Sequence, residues 1–329
     1  MDSIITMEMV AAVVGFALTV AFGKIVIPWL VKLKFGQSIL EIGPNWHKNK
    51  QGTPTMGGIM FVLSIGVCVI LAGIPLMILD GEFRHLLIFA FALLFGIIGF
   101  IDDYAKVSKK QNKGLSALQK LLLQLAGSAV FLSVLRMTGD LTPNLFFPYI
   151  GRIELPWILY LILMMFIIVG AVNAVNLTDG VDGLASSVTL PVAVLFSALA
   201  LVSRFDAAGL FAAALFGALC GFLVYNKNPA KVFMGDTGSL FLGGAIVGLA
   251  FVFDMPLILL FAGIIYIVET LSVILQVGYF KLTHGKRLFK MSPIHHHFEM
   301  CGWSENKLCV IFTIVNAIGC LIGYFGVIS

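Results

Sequence analysis

Two adjacent acids, Asp102-Asp103, stand at the end of an unbroken apolar run from Leu86 to Ile101. Carboxylates held side by side at low dielectric repel, so one takes a proton or both share a cation. Just beyond them come Lys106, Lys109, Lys110, Lys113 and Lys120. Acids beside such a basic cluster suit a metal and a phosphate together, the carboxylates holding the cation and the lysines the anion. Mg2+ is commonly bound in this way, by one or two carboxylates plus phosphate oxygens and water. The plainer alternative is a solvated loop start just past a helix end.

Four further polar stretches carry chemistry. Asn176-Leu177-Thr178-Asp179-Gly180-Val181-Asp182-Gly183 has two acids and an amide at every third position and no Lys or Arg. That spacing puts Asn176, Asp179 and Asp182 on one side of a turn and suits sugar hydroxyls, a base edge or a metal; helix caps are the alternative. Asp236 sits between Gly235 and Thr237-Gly238 immediately before an apolar run. An acid and free backbone N–H groups at a helix start also make a ready phosphate site. Phe233, three residues earlier, can stack on a flat base or pack down on the bilayer edge. Finally, Met291-Ser292-Pro293-Ile294-His295-His296-His297-Phe298-Glu299 offers three histidines for phosphate, metal or proton transfer. Zinc is disfavoured there, because adjacent histidines on a loop do not converge on one ion.

The elements that position these residues are membrane helices. The 329 residues are 60% hydrophobic and 12% charged, a balance that excludes a soluble domain. Ten runs are long and apolar enough to span a bilayer: 7–31, 56–79, 86–101, 121–136, 156–173, 184–203, 208–225, 239–253, 256–280 and 307–328. Five connections, 32–55, 102–120, 174–183, 226–238 and 281–306, together with Lys307 hold 16 of the 21 Lys and Arg. The positive-inside rule makes those loops cytoplasmic and puts both termini outside. Every polar cluster above falls on that face, so the chemistry is expected there. The opposite segments, such as Thr138–Leu155, read as plain connectors.

In the first cytoplasmic loop, Lys50 leads into a run of small residues, with Thr55 placed to cap the second helix. In the ninth span Glu269, Ser272 and Gln276 share one helix face, which for ionisable groups means a bundle interior or cavity. The acidic Met1–Glu8 stretch predicts no cleaved signal peptide. The five cysteines are scattered and read as small buried hydrophobes. The whole of 1–329 reads as a single polytopic all-α membrane domain of about ten helices.

Taken together, Gly52-Thr53-Pro54-Thr55-Met56-Gly57-Gly58, Asp102-Asp103-Tyr104, the Asn176–Gly183 stretch, Met234-Gly235-Asp236-Thr237-Gly238-Ser239 and Ser292–Glu299 resemble the phospho-N-acetylmuramoyl-pentapeptide transferases. The resemblance covers essentially the whole chain. It implies a Mg2+-dependent enzyme of the bacterial cell membrane, commonly a homodimer, with no nucleic-acid partner. Its reaction would move phospho-N-acetylmuramoyl-pentapeptide from UDP to undecaprenyl phosphate, giving lipid I and UMP in peptidoglycan synthesis. By the resemblance, Asp236 is the metal ligand, with Asp102 and Asp103 as further candidates, and Asp102 activates the lipid phosphate. The catalytic set it implies is Asp102, Asp103, Asp236, His295 and His296. Phe233 corresponds to a uracil platform. Lys50, Lys106, Lys120, Asn176, Asp179, Asp182, Asn226, Gln276 and His295–His297 would line the nucleotide and diphosphate site.

Three rivals remain open at this level. Another polyprenyl-phosphate sugar-phosphate transferase would share the Asp-Asp and Asn/Asp motifs. A prenyltransferase would use Asp-rich motifs with Mg2+ but needs neither the histidines nor a base platform. A transporter would place its acids nearer the bilayer midplane.

Overall fold

The computed structural model describes residues 2–33, 50–108 and 114–329. The start of the first polar loop, with Lys34 and Lys48, and the lysines Lys109, Lys110 and Lys113 lie outside the described residues. Among those described, ten helices are long and apolar enough to cross a membrane. They are α1 (Asp2–Lys32), α2 (Gly58–Leu79), α3 (Arg84–Ser108), α4 (Ala117–Thr138), α5 (Trp157–Thr178), α6 (Leu184–Ser203), α7 (Asp206–Asn226), α8 (Gly235–Val252), α10 (Ile264–Leu282) and α12 (Glu305–Ile328). Two short helices, α9 (Leu259–Ala262) and α11 (Ile294–Glu299), complete the set.

The centre of the bundle is α8. Its sequence is apolar all round, and every residue from Thr237 to Val252 is buried. With lipid outside there is little hydrophobic force between spans, so close approach through small residues does the packing. Along α3 against α8 the seam is Ala92, Gly96 and Gly99 meeting Gly244, Phe241 and the Asp236 carbonyl. A Cβ on Gly99 would overlap that carbonyl oxygen. A similar seam joins α1 to α7, where Gly217 lies on the Ala12 backbone. Around the outside, large apolar side chains such as Ile78, Ile158, Phe166, Ile274 and Leu321 are exposed, as lipid contact requires.

Three departures from the sequence expectation matter. First, α3 does not stop at Ile101 but continues to Ser108, so Asp102 and Asp103 are helical rather than in a loop. Nothing between Asp102 and Ser108 breaks a helix, and Lys106 pairs with Asp102 one turn away. Second, the 256–280 span is interrupted by a 3-10 turn (Pro256–Ile258), α9 and Gly263. The freed backbone is satisfied by Asn316 of α12: its amide donates to the Val188 and Ala262 carbonyls, and its oxygen accepts from the Ile265 N–H. Third, the Thr138–Leu155 connector holds an antiparallel hairpin, β1 (Asn144–Phe147) with β2 (Gly151–Glu154). Tyr149 at its turn docks on the end of α12 through Ile322 and Gly326 carbonyls.

The up-and-down order brings the ends of α3, α5, α7 and α10 together with the starts of α2, α4, α6, α8 and α12. All the polar motifs lie at this end. The seam supplies a test. Gly99→Ala should destabilise the protein by about 1–3 kcal/mol in detergent melting, because α3 must shift off α8. Gly170→Ala, on α5 with open space around it, should change stability by less than about 1 kcal/mol.

Candidate functional site

The first cluster forms where α3 meets the start of α8. Asp103, 3% exposed, accepts from the backbone N–H of Asp236 (3.2 Å), the Thr237 N–H (2.9 Å) and the Thr237 hydroxyl (2.8 Å). An anion therefore caps a buried helix start, where orphan N–H groups and the helix dipole both favour it. Glycine at 235, with φ +69°, turns the chain into α8, and a Cβ there would press on Asp103 and Thr55. That turn aims Asp236 back at the lysines: its Oδ2 accepts from Lys106 (3.0 Å) and Lys120 (2.9 Å), its Oδ1 from the Asn176 amide (2.9 Å). Asn176 also donates to Ser239 (2.7 Å). Asp102 is equally buried, 2.6 Å from Lys106 and accepting the Leu115 N–H at 2.7 Å.

The ammonium of Lys106 thus sits among three carboxylates, at 2.6, 3.7 and 3.0 Å from Asp102, Asp103 and Asp236. One oxygen from each acid lies within 4.8 Å of the others, so the trio could hold a metal ion. With two lysines against three acids the group keeps an anionic excess, and its all-oxygen donors fit a hard divalent cation.

The second cluster is organised by Asp182. Its oxygens take Lys50 (2.7 Å), the Asn228 amide (3.1 Å) and the Ala230 N–H (2.9 Å). Glu305, in the first turn of α12, pairs with Lys50 (2.6 Å) and accepts the Asp182 N–H (2.8 Å). The period-three residues therefore part company: Asn176 joins the acid cluster and Asp182 the lysine cluster. Between them Asp179 is partly buried, and burial, with Asp236, Asp103 and Asp182 nearby, pushes its carboxyl well above the ordinary range. Asn226 is buried and holds its own loop through the Val232 carbonyl (2.9 Å). Phe233 is half-buried, its backbone paired with Pro54 and Gly57. Thr55 does not cap α2; that place belongs to Gly57, which approaches Val232 and the Phe233 carbonyl too closely for a side chain.

The histidines occupy one turn of α11, where consecutive side chains point about 100° apart. His295 is buried beside Glu269 of α10, Nδ1 to Oε2 3.1 Å. Nδ1 of His296 meets Glu299 at 2.6 Å. His297 accepts the Lys290 N–H through Nδ1 (3.1 Å). Gln276 accepts from the Leu288 and Phe289 N–H groups and so folds the loop ahead of α11. Gly180 links the third cluster to the rest, since a Cβ there would overlap Nε2 of His295. Glu305, Glu299, Asn228 and Ser239 were not singled out from sequence. Glu305 follows the capping Ser304 and carries only the signal of an ordinary first-turn acid.

Comparison with known proteins relates the whole chain to named transferases. The family model described as Glycosyl transferase family 4 covers residues 85–254, from α3 through α8. The phospho-N-acetylmuramoyl-pentapeptide-transferase signature 1 covers residues 50–62. A transferase of that name from Carboxydothermus hydrogenoformans is 47% identical over 98% of this chain and 99% of its own. The Shouchella clausii protein of the same name is 48% identical, over 96% of each chain. The chain belongs to the phospho-N-acetylmuramoyl-pentapeptide-transferase family. Within this family member, the Glycosyl transferase family 4 match takes in all three acid-bearing motifs, whereas the Lys50 motif is matched by the signature and the histidine turn lies outside both matches.

Two consequences are measurable. Asp103→Asn removes the charge at the α8 start and should cost about 1–2 kcal/mol in thermal unfolding. The raised Asp179 carboxyl means the folded state binds a proton more tightly than the unfolded chain. Stability is thus fully present below the unfolded value near 4 and is lost as pH rises through the folded one. Asp179→Asn should accordingly raise the melting temperature at pH 8, and the gain should vanish as pH falls towards 4.

Proposed function

We propose that the protein transfers phospho-N-acetylmuramoyl-pentapeptide from its UDP carrier to undecaprenyl phosphate, releasing UMP and forming lipid I for peptidoglycan synthesis. The observation that carries this reading is the Asp102–Asp103–Asp236 and Lys106–Lys120 cluster at the polar end of the bundle, in a chain so similar along its length to transferases of that name. A lipid phosphate lies at the membrane edge and a UDP-sugar in water, so their reaction belongs where helix ends meet the aqueous face. The one-sided Lys/Arg distribution supports a cytoplasmic placement of that face, and the family resemblance adds the expectation of a homodimer.

Mg2+ is the cation that Asp236, with Asp102 and Asp103, would hold; bound there it neutralises charge on the diphosphate. Lys106 and Lys120, each already on Asp236, would exchange part of that pairing for diphosphate oxygens. Lys50 would do the same from Asp182 and Glu305. Phe233, between the 53–58 and 228–232 segments, would stack on uracil. Asp102 would orient the acceptor phosphate and take its proton when it is the monoanion. An acceptor oxygen then attacks the β-phosphorus directly, and the bond from that phosphorus to the bridging oxygen breaks as UMP leaves. The acceptor is already an anionic nucleophile, with a second pKa near 6, so a covalent carboxyl-phosphate would gain little.

Asp236→Asn should abolish UMP release from the UDP-substrate while leaving the melting temperature within a few degrees of wild type. Undiminished turnover with unchanged Mg2+ dependence would remove Asp236 from the site. If attack is direct, labelled UMP should not exchange into the UDP-substrate in lipid-depleted enzyme without polyprenyl phosphate. Exchange at a turnover-competent rate would make a carboxylate the nucleophile. For orientation, in a Cys301→Ser background Lys286→Cys should react with a membrane-impermeant thiol reagent only from the cytoplasmic side, and Ile150→Cys only from outside.

A further inference from the structure

The start of α12 grips the Asp179–Asp182 loop by its backbone. Oε2 of Glu305 accepts the Asp182 N–H at 2.8 Å, and the thiol of Cys309, one turn along the helix, reaches the Asp182 carbonyl at 3.2 Å. The same Glu305 oxygen lies 2.6 Å from Nζ of Lys50, whose other partner is Oδ1 of Asp182 at 2.7 Å. One ammonium therefore stands between two carboxylates brought from distant parts of the chain. Oδ2 of Asp182 takes the Asn228 amide and the Ala230 N–H, which ties the 226–232 loop to the same point. Phe233 joins that loop back to the Lys50 segment by donating its N–H to the Pro54 carbonyl. Lys50 is the most open of the three charged side chains, at 17% exposed, so water and salt screen the trio only weakly.

We propose that Glu305 is a positioning residue that holds the Lys50 ammonium in place for the diphosphate of the UDP-substrate. The inference rests on the transfer reaction proposed above and on the place of Lys50 in it. An acid repels a diphosphate, so Glu305 helps only through the cation it holds. A lysine side chain gives up much rotamer freedom when it is fixed. Two acids fix this one before substrate arrives. With an acid on each side, Lys50 can yield part of one contact to a diphosphate oxygen and stay held by the other. With Asp182 alone, the same exchange would cost the lysine its anchor. Glu305 also keeps Asp182 in register through the backbone N–H, so lysine and loop are set by one carboxylate.

The test uses the full-length enzyme in detergent with UDP-N-acetylmuramoyl-pentapeptide, undecaprenyl phosphate and Mg2+, following UMP release. Glu305→Gln keeps an oxygen for the Asp182 N–H and removes the charge. It should lower kcat/KM for the UDP-substrate about 5–50-fold, the loss expected for one charge-assisted hydrogen bond. The KM for undecaprenyl phosphate should stay within about twofold, and Glu305→Asp should recover part of the rate. The deciding measurement is a double-mutant cycle: in a Lys50→Gln background, Glu305→Gln should cost less than about twofold more, because its effect runs through the lysine. Independent, multiplying losses would overturn the proposal, as would wild-type kinetics in Glu305→Gln. If Glu305→Gln alone fails to fold, melting temperatures decide between Lys50→Gln and the double variant. Lys50→Gln leaves Asp182 and Glu305 without their shared cation, so adding Glu305→Gln should keep or raise its melting temperature. A double variant that melts lower than Lys50→Gln would defeat the idea. A wild-type enzyme that releases no UMP would refute the transfer reaction itself, an outcome distinct from active enzyme with multiplying variants.

Discussion

A helix that begins in the protein interior exposes donors that water cannot reach, and α8 begins in that way. The carboxylate of Asp103 meets the first of those donors at 3.2 and 2.9 Å, and much else follows from this contact. It sets the axial position of α3 against α8, which the Gly99 seam then holds. It places Asp236 one residue into α8 with its own carboxylate turned toward Lys106, Lys120 and Asn176. The charged cluster is thus an extension of helix capping. The same acid that satisfies the backbone also brings three carboxylates close enough to demand a cation.

Much of this was legible in the residues. Ten apolar runs and a one-sided distribution of Lys and Arg were enough for the architecture, because a bilayer leaves a chain few alternatives to spanning helices. Asp102, Asp103 and Asp236 were recognisable as costly groups at the ends of apolar runs. Their mutual arrangement was not, since it depends on α3 running seven residues past Ile101 and on a glycine turn into α8. Residues spaced by three, Asn176 and Asp182, suggested one surface; the helix ends between them at Thr178, and the two side chains go to different partners. Glu305 was illegible for the opposite reason. Its local context explains it fully as a first-turn acid, so only the fold reveals its second occupation with Lys50.

Adjacent histidines illustrate how a short helix divides work among identical side chains. On α11, rotation by a helical step gives His295 to a buried acid, His296 to Glu299 and His297 to the backbone of its own loop. A sequence triplet looks like a single feature, but the geometry makes three unlike environments. His295 is the one whose ring edge lies against Gly180, in the loop that carries Asp179 and Asp182.

The ion pair between Lys50 and Glu305 joins positions 255 residues apart. Domains synthesised from the N-terminus acquire contacts in the order their partners emerge, so this one must wait for the final span. The nine long helices before α12 can be in the membrane while Lys50 and Asp182 still lack their shared partner. Completion of the polar end is therefore timed by the last helix to be made: a chain interrupted before α12 inserts most of its hydrophobic body yet leaves that end open.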